Sequence, residues 1–342
     1  FANTMSLVLD NAASKLLLSS ITVDNVSTSV DNSLGVEVEN DSTITSFSVT
    51  NITPVSIATG KTLSGAIGVT AGSIKLTDTG TLASTVEMSG GTTLDADNSL
   101  TVSGALTQSG DITIDVADTS TLTYTGSPIS LGASTLSLSG GGAFANTMPL
   151  VLDNAASKLL LSSITVDNVS TSVDNSLGVE VENDSTITSF SVTNITPVSI
   201  ATGKTLSGAI GVTAGSIKLT DTGTLASTVE MSGGTTLDAD NSLTVSGALT
   251  QSGDITIDVL DNQTLNYTGP PISLGSNTLS IDGAGTLSNA SGSSLVLDQT
   301  DSILHFISTG FVSGPVKFES GTLKSSGSPT ISGTMTQYNN AA

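Results

Sequence analysis

Residues 1–143 recur as residues 144–286 at a constant offset of 143, without a gap. Twelve positions differ, so 131 of 143 match, and residues 7–116 are copied unchanged. One difference is Ser6 against Pro149; the other eleven all follow Val116, within 117–143 of the first copy. A third, diverging copy opens at Leu287, and its last clear match is Leu295 to Asp298. The chain therefore reads as three segments of one rod: 1–143, 144–286 and a partial 287–342. Near-identical copies suit an array whose copy number sets its length. A chemical site gains little from being spelled twice.

Within a copy the apolar residues alternate with polar ones, as in Val36/Val38, Phe47/Val49, Ile67/Val69, Ile112/Ile114/Val116 and Leu136/Leu138. Gly, Asn, Asp, Ser and Thr separate these runs. That is the signature of short strands buried on one face. Helical periodicity is nearly absent. The run Leu16, Leu17, Leu18 reads as a strand buried on both sides, or one at a corner.

A second period selects the fold. Ile57, Leu76, Leu94 and Ile112 advance by steps of 19, 18 and 18, and so do Val69, Met88, Leu106 and Tyr124. The pairs Thr62-Leu63, Thr81-Leu82, Ser99-Leu100 and Thr121-Leu122 advance by 19, 18 and 22. Such registers belong to a coil in which each turn repeats the one below. The expectation is an all-β parallel β-solenoid with about 18–22 residues per turn and three faces around a narrow core. With strands about 4.8 Å apart, about seven turns per copy span about 34 Å and some 17 turns about 80 Å. A thin core suits a chain with seven Phe, three Tyr and no Trp. The rival, a tandem Ig-like array, has units of about 100 residues and no such inner period.

Composition narrows the function. Eight Lys, no Arg and thirty acidic residues give a net charge of −22. Nucleic acid and anionic membrane surfaces are disfavoured partners, because both need basic side chains. No apolar stretch is long enough for a membrane span. With no Cys, there is neither a disulfide framework nor a thiolate metal site. Phe1 in place of an initiator Met reads as a processed chain or a fragment, and the opening residues do not read as a signal peptide.

The TLxxxG turns, the TG, SG and GG punctuation and the Ser/Thr/Asn/Asp-rich surface resemble filamentous haemagglutinin-type adhesins and autotransporter passenger domains. The resemblance covers most of the chain and is one of texture; no secretion-domain motif or β-barrel translocator is present in it. It implies a right-handed parallel β-helix that is extracellular, bacterial or archaeal, extended and non-catalytic.

Candidate chemistry is sparse. Asx pairs recur, and Asp95-x-Asp97, repeated as Asp238-x-Asp240, comes closest to calcium-ligand spacing. It lacks the glycine and distal Glu of an EF-hand loop. The competing reading is that Asx side chains bond local backbone and tolerate left-handed corners. Asp111/Asp115 and Glu37/Glu39 raise glycosidase chemistry. A catalytic site copied intact twice would be unusual, so no enzyme and no required cofactor is expected, with Ca2+ the one candidate ion. The stretches TITSFSVT and TLTYT raise ice-binding threonine ladders, but the sequence does not repeat them turn after turn. Asn25, Asn40 and Asn51 begin Asn-x-Ser/Thr sequons.

The expected function is an extracellular fibre or adhesin stalk that associates with itself end to end or within a longer array. The alternative is a solenoid that binds surface glycans, with avidity from duplicated faces. A polysaccharide-active β-helix enzyme ranks third.

Overall fold

The structure is a computed structural model that describes residues 1–337. It contains strands, turns and bends and, among the described residues, no helix. Two compact units divide the chain, Phe1–Val169 and Ser170–Ala342. Each is a parallel β-solenoid, as the alternation and the inner period require.

In the first unit, one face is an eight-rung stack running from Lys15–Leu18 through Gly35–Val38, Thr53–Ile57, Ser73–Leu76, Thr92–Ala96, Ile112–Val116 and Thr135–Ser139 to Lys158–Leu161. Every step is parallel, for example Ile74↔Leu94, Leu94↔Ile114 and Ile114↔Leu138. The inward residues form continuous columns of buried Leu, Ile and Val. Ile74, Leu94 and Ile114 are each 0% exposed. Such columns of closely packed branched side chains are the main source of stability in a solenoid, since each rung touches only its neighbours.

The other two faces come from one creased sheet. Ser42–Val49 and Thr62–Val69 are eight-residue strands whose pairing shifts between Ile44 and Phe47. Gly65 makes the crease, with φ of +118°. A Cβ there would lie 1.8 Å from the Ile44 carbonyl oxygen, so no other residue fits without moving backbone. Beyond the crease, the next rung is two separate strands, Thr81–Leu82 and Thr85–Ser89, both paired to Thr62–Val69.

The second unit repeats this plan with its own eight-rung stack, Gly178–Val181 to Thr322–Ser325. Its strands Ile272–Ser273, Leu295–Leu297, Val316–Phe318 and Met335–Gln337 form a separate four-stranded sheet. The tail therefore continues as strands, and the part of the segment 287–342 beyond Gln337 lies outside the described residues.

The copy boundaries are not boundaries of the fold. The first lies inside the first unit, where Leu122 of one copy pairs with Phe144 of the next and Leu136 pairs with Leu159. The second lies inside the second unit, where Leu265 pairs with Leu287. Tyr124 and Phe144 stack across the first junction, with centroids 5.9 Å apart and planes 21° from parallel. From Lys15 to its counterpart Lys158 the stack advances seven rungs, the number expected per copy.

Three expectations need correction. Turns are longer in places: Val36 pairs with Val55, a step of 19, but Ile114 pairs with Leu138, a step of 24. The stacking partners differ by two residues from several that the spacing suggested. Leu76 pairs with Val55 and Ala96, not with Ile57 and Leu94, and Leu106 pairs with Val86, not with Met88. A slip of two keeps every side chain on its face, so alternation alone does not distinguish these registers. Finally, Lys15–Leu18 is buried on one side only, with Leu17 turned outward beside Glu37.

Candidate functional site

The strand Thr92–Ala96 buries Thr92, Leu94 and Ala96, so Asp95 faces outward. The parallel register sets Asp95 beside Lys75 of the preceding rung and Asp115 of the following one. Lys75 Nζ lies 3.2 Å from Asp95 Oδ2 and 3.1 Å from Asp97 Oδ1. The second copy reproduces the arrangement, with Lys218 Nζ 3.4 Å from Asp238 Oδ2 and 2.9 Å from Asp240 Oδ2. Each pair with calcium-like spacing thus flanks its own lysine ammonium, which stands where a cation bridging the two carboxylates would stand. Among the described residues no group of three or more His, Cys, Asp or Glu is placed to hold a metal ion.

The electrostatics fit an ion-pair staple between rungs. The hydrogen bond to Asp97 leads in raising the Lys75 pKa above its ordinary value, and Asp240 does the same for Lys218. Burial pushes the Asp95 and Asp238 carboxyls up, and the neighbouring lysine only partly offsets it. The second copy adds a charge here. Asp282 replaces Ser139 and lengthens the column to Asp238, Asp258 and Asp282. Asp258 is pushed up by burial first and by Asp282 next. In the first copy the equivalent contact is a hydrogen bond, in which Ser139 Oγ donates to Asp115 Oδ2 at 2.6 Å.

Of the other acidic candidates, Asp111, Asp115 and Glu37 also bond between rungs. Asp111 Oδ1 accepts the Thr135 N–H at 2.7 Å, and Glu37 pairs with Lys15. The corner residues Asp31 and Asp41 accept the N–H groups of Ile52 and Thr62 at 3.0 and 2.9 Å. Asp174, Asp184 and Asp254 do the same in the second copy, at 2.9, 2.8 and 2.7 Å. Corners leave backbone donors without a ladder partner, and a carboxylate satisfies them. The left-handed role expected of Asx residues is rarer. Among the described non-glycine residues φ is positive at Ser20, Thr119, Ser163 and Asn262, of which only the last is Asx.

The sequon amides are engaged as well. Asn25 Nδ2 donates to Asn3 O at 2.9 Å, Asn40 to Ser19 Oγ at 2.8 Å and Asn51 to Thr50 Oγ1 at 3.0 Å. A glycan-binding face would use flat aromatic rings, yet among the described aromatic residues Phe1 alone is largely exposed, at 67%. A shallow polar groove lies along Ser20, Thr22, Asp41 and Ser64, and a second shallow groove along Thr222, Ser242, Leu243, Thr244 and Asn266.

One feature escapes a reading by spacing. Thr62, Thr81, Thr101 and Thr123 stand in register on four consecutive rungs. The steps between them are 19, 20 and 22, so no single repeat length finds them. The Thr-Leu dipeptide marks only the first two members, Thr62 and Thr81; Thr101 and Thr123 instead follow a leucine. The chain matches no protein-family model, no curated protein and no solved structure at a significant level.

Proposed function

We propose that this chain is part of an extracellular structural fibre or adhesin stalk, in which stacked solenoid turns supply length and stiffness at a microbial surface or in a matrix. The observation that supports this most is the copy junction. The last rungs of one copy pair with the first rungs of the next through the same hydrogen bonds and the same apolar columns as any other rungs. Copies can be added without a new interface, which is what a length-setting array needs. Asp95, Asp97, Asp111, Asp115 and Glu37 bond between rungs, and the role calls for no catalytic step and no cofactor. Its partners are further copies, in one long array or stacked end to end.

The test is length. A chain carrying one extra copy after Ala143 lengthens by about 34 Å, seven rungs at about 4.8 Å each, in small-angle scattering or electron microscopy. Unchanged maximum dimensions, or signal confined to the cell interior when the native protein is labelled, would remove the reading.

A further inference from the structure

One short passage occurs three times in the chain, as Leu7-Val8-Leu9-Asp10, Leu150-Val151-Leu152-Asp153 and Leu295-Val296-Leu297-Asp298. Each is followed by a serine, Ser14, Ser157 and Ser302 respectively. Two of the three hold a partner strand. Ile129-Ser130-Leu131-Gly132 lies on the second, with Ile129 paired to Leu150 and Ser130 to Val151. Ile272-Ser273-Leu274-Gly275 lies on the third in the same register. The grip is the same in both. The Gly132 N–H donates to Asp153 Oδ1 at 2.9 Å, and the Ser157 hydroxyl donates to Gly132 O at 2.6 Å. Asp298 and Ser302 hold Gly275 in the same way, at 2.9 and 2.5 Å. The Ser130 and Ser273 hydroxyls donate to the same two aspartates. Leu150 and Leu295 are 0% exposed as a result. The first instance has no strand on it among the described residues. Leu7 is 37% exposed, Asp10 is exposed, and an open groove runs along Leu7, Leu9, Ser14 and Leu16. Its serine turn already has the form seen in the filled sites. The Asn11 N–H donates to Ser14 Oγ at 3.2 Å, as the Asn154 and Gln299 N–H groups do to Ser157 and Ser302 at 3.0 and 2.9 Å.

We propose that Leu7–Leu9, with Asp10, Ser14 and Leu16, is a strand-acceptor site, and that its occupant is the closing rung, residues 126–139, of a repeat at the end of a separate chain. The inference rests on the reading that repeats add rung upon rung. The molecule's own filled sites select the occupant. Residues 7–18 are identical to residues 150–161, so the strand that fits one surface fits the other. In the filled junction Leu136 pairs with Leu159 and Leu138 with Leu161, whose counterparts in the open site are Leu16 and Leu18. Main-chain hydrogen bonds of the added strand supply affinity, and pockets for alternate side chains supply specificity. Leu131, buried in the filled junction, is the side chain that follows the paired strand and precedes the gripped glycine. Residues 126–139 carry no charged side chain, so the acidic excess of the acceptor chain does not repel them. Asp10 then receives the glycine N–H and the serine hydroxyl, as Asp153 and Asp298 do.

The probe is a fluorescent synthetic peptide of residues 126–139, added to the full chain and followed by anisotropy. The expected result is saturable binding of a single peptide per chain, because the two equivalent sites are already filled. A peptide with Leu131→Asp, and one with the same composition in scrambled order, should not bind. Asp10→Ala in the chain removes a charged acceptor of the peptide's hydrogen bonds and should weaken binding about tenfold. Circular dichroism confirms that this variant is folded; if it is not, the Leu131→Asp peptide, which leaves the chain untouched, decides. Absence of saturable binding overturns the proposal. So does binding of more than a single peptide, equal binding of the altered peptides, or unchanged affinity in a folded Asp10→Ala chain. A chain that lengthens with an added copy yet ignores the peptide loses this site and keeps the fibre reading. A chain that takes the peptide yet does not lengthen keeps the site and loses the fibre reading.

Discussion

Lys75 and Asp95 occupy equivalent outward positions on adjacent rungs, with Nζ 3.2 Å from Oδ2, and Lys218 and Asp238 repeat the pair at 3.4 Å. The lysine also reaches Asp97, so one cation serves two carboxylates. Its removal should matter more than removal of one acid. Lys75→Met leaves Asp95, Asp97 and Asp115 facing each other, whereas Asp95→Asn keeps a hydrogen-bond acceptor and removes a charge that burial disfavours. Thermal unfolding of both variants should show the larger loss for Lys75→Met. A double-mutant cycle should give a coupling below about 1 kcal/mol, since the side chains are about a third exposed. The reverse order of effects would refute this account.

Acidification should stabilise the second copy's aspartate column. Asp258 has a folded-state pKa raised above the ordinary 3.8. Between 3.8 and the raised value the native chain binds that proton more than the unfolded chain does. Stability therefore falls as pH rises through that window and returns on acidification. Asp282→Asn should flatten this dependence and raise stability at neutral pH by less than about 1 kcal/mol, a figure held low by solvent screening. Melting curves recorded from pH 4 to pH 7 decide it; an Asp282→Asn profile parallel to wild type would count against the mechanism.

The same lysines set an alkaline limit. The Lys75 and Lys218 pKa values are raised above 10.5 in the fold. Their contribution is complete below 10.5 and disappears as pH climbs through the raised values. Loss of stability above pH 10.5 should be smaller in a Lys75→Met, Lys218→Met chain.

Tyr124 offers a duplicated test of the core. Its hydroxyl donates to Ser127 O at 2.7 Å and accepts the buried Leu106 N–H at 3.1 Å. Tyr267 does the same with Pro270 O at 2.6 Å and Leu249 N–H at 3.3 Å. Tyr124→Phe orphans a buried donor, which costs about 1–3 kcal/mol. Tyr267→Phe should cost nearly the same, because both hydrogen bonds recur even though Leu287 stands where Phe144 stacks on Tyr124. Denaturant unfolding of both variants would expose any inequality.

Gly65→Ala should be among the most damaging single-methyl changes in the chain. The backbone conformation alone costs about 1–3 kcal/mol for an L residue. The added carbon also meets the Ile44 carbonyl oxygen. Gly68, on the same strand, has open space around its missing Cβ, so Gly68→Ala serves as the benign control. Equal melting temperatures for the two would show that the crease is not fixed by Gly65.

Much of this fold could be read from the letters because alternation and rung length are independent signals. Leu63 over Leu82 and Leu100 over Leu122 follow from spacing alone. Register was legible only to within two residues, since a two-residue slip changes no face. That ambiguity hid the lysine staple. A step of 18 sets Lys75 opposite Thr93, while the actual step of 20 sets it opposite Asp95. It also hid the threonine ladder, whose members are separated by unequal turns. The crease was invisible for another reason: a Gly at a bend and a Gly at a turn look alike in sequence.

The seamless stacking of rungs also has a mechanical consequence. Successive coils are joined by backbone hydrogen bonds that run from rung to rung, as between Leu94 and Ile114. Tension along the stack loads all the bonds of one coil together, so the stack resists until a whole coil gives way. A coil of about 20 residues that peels off then releases roughly 65 Å of slack chain in exchange for a rung of about 4.8 Å. A stack of this kind yields in discrete steps under load, and each step dissipates work while the remaining coils stay intact.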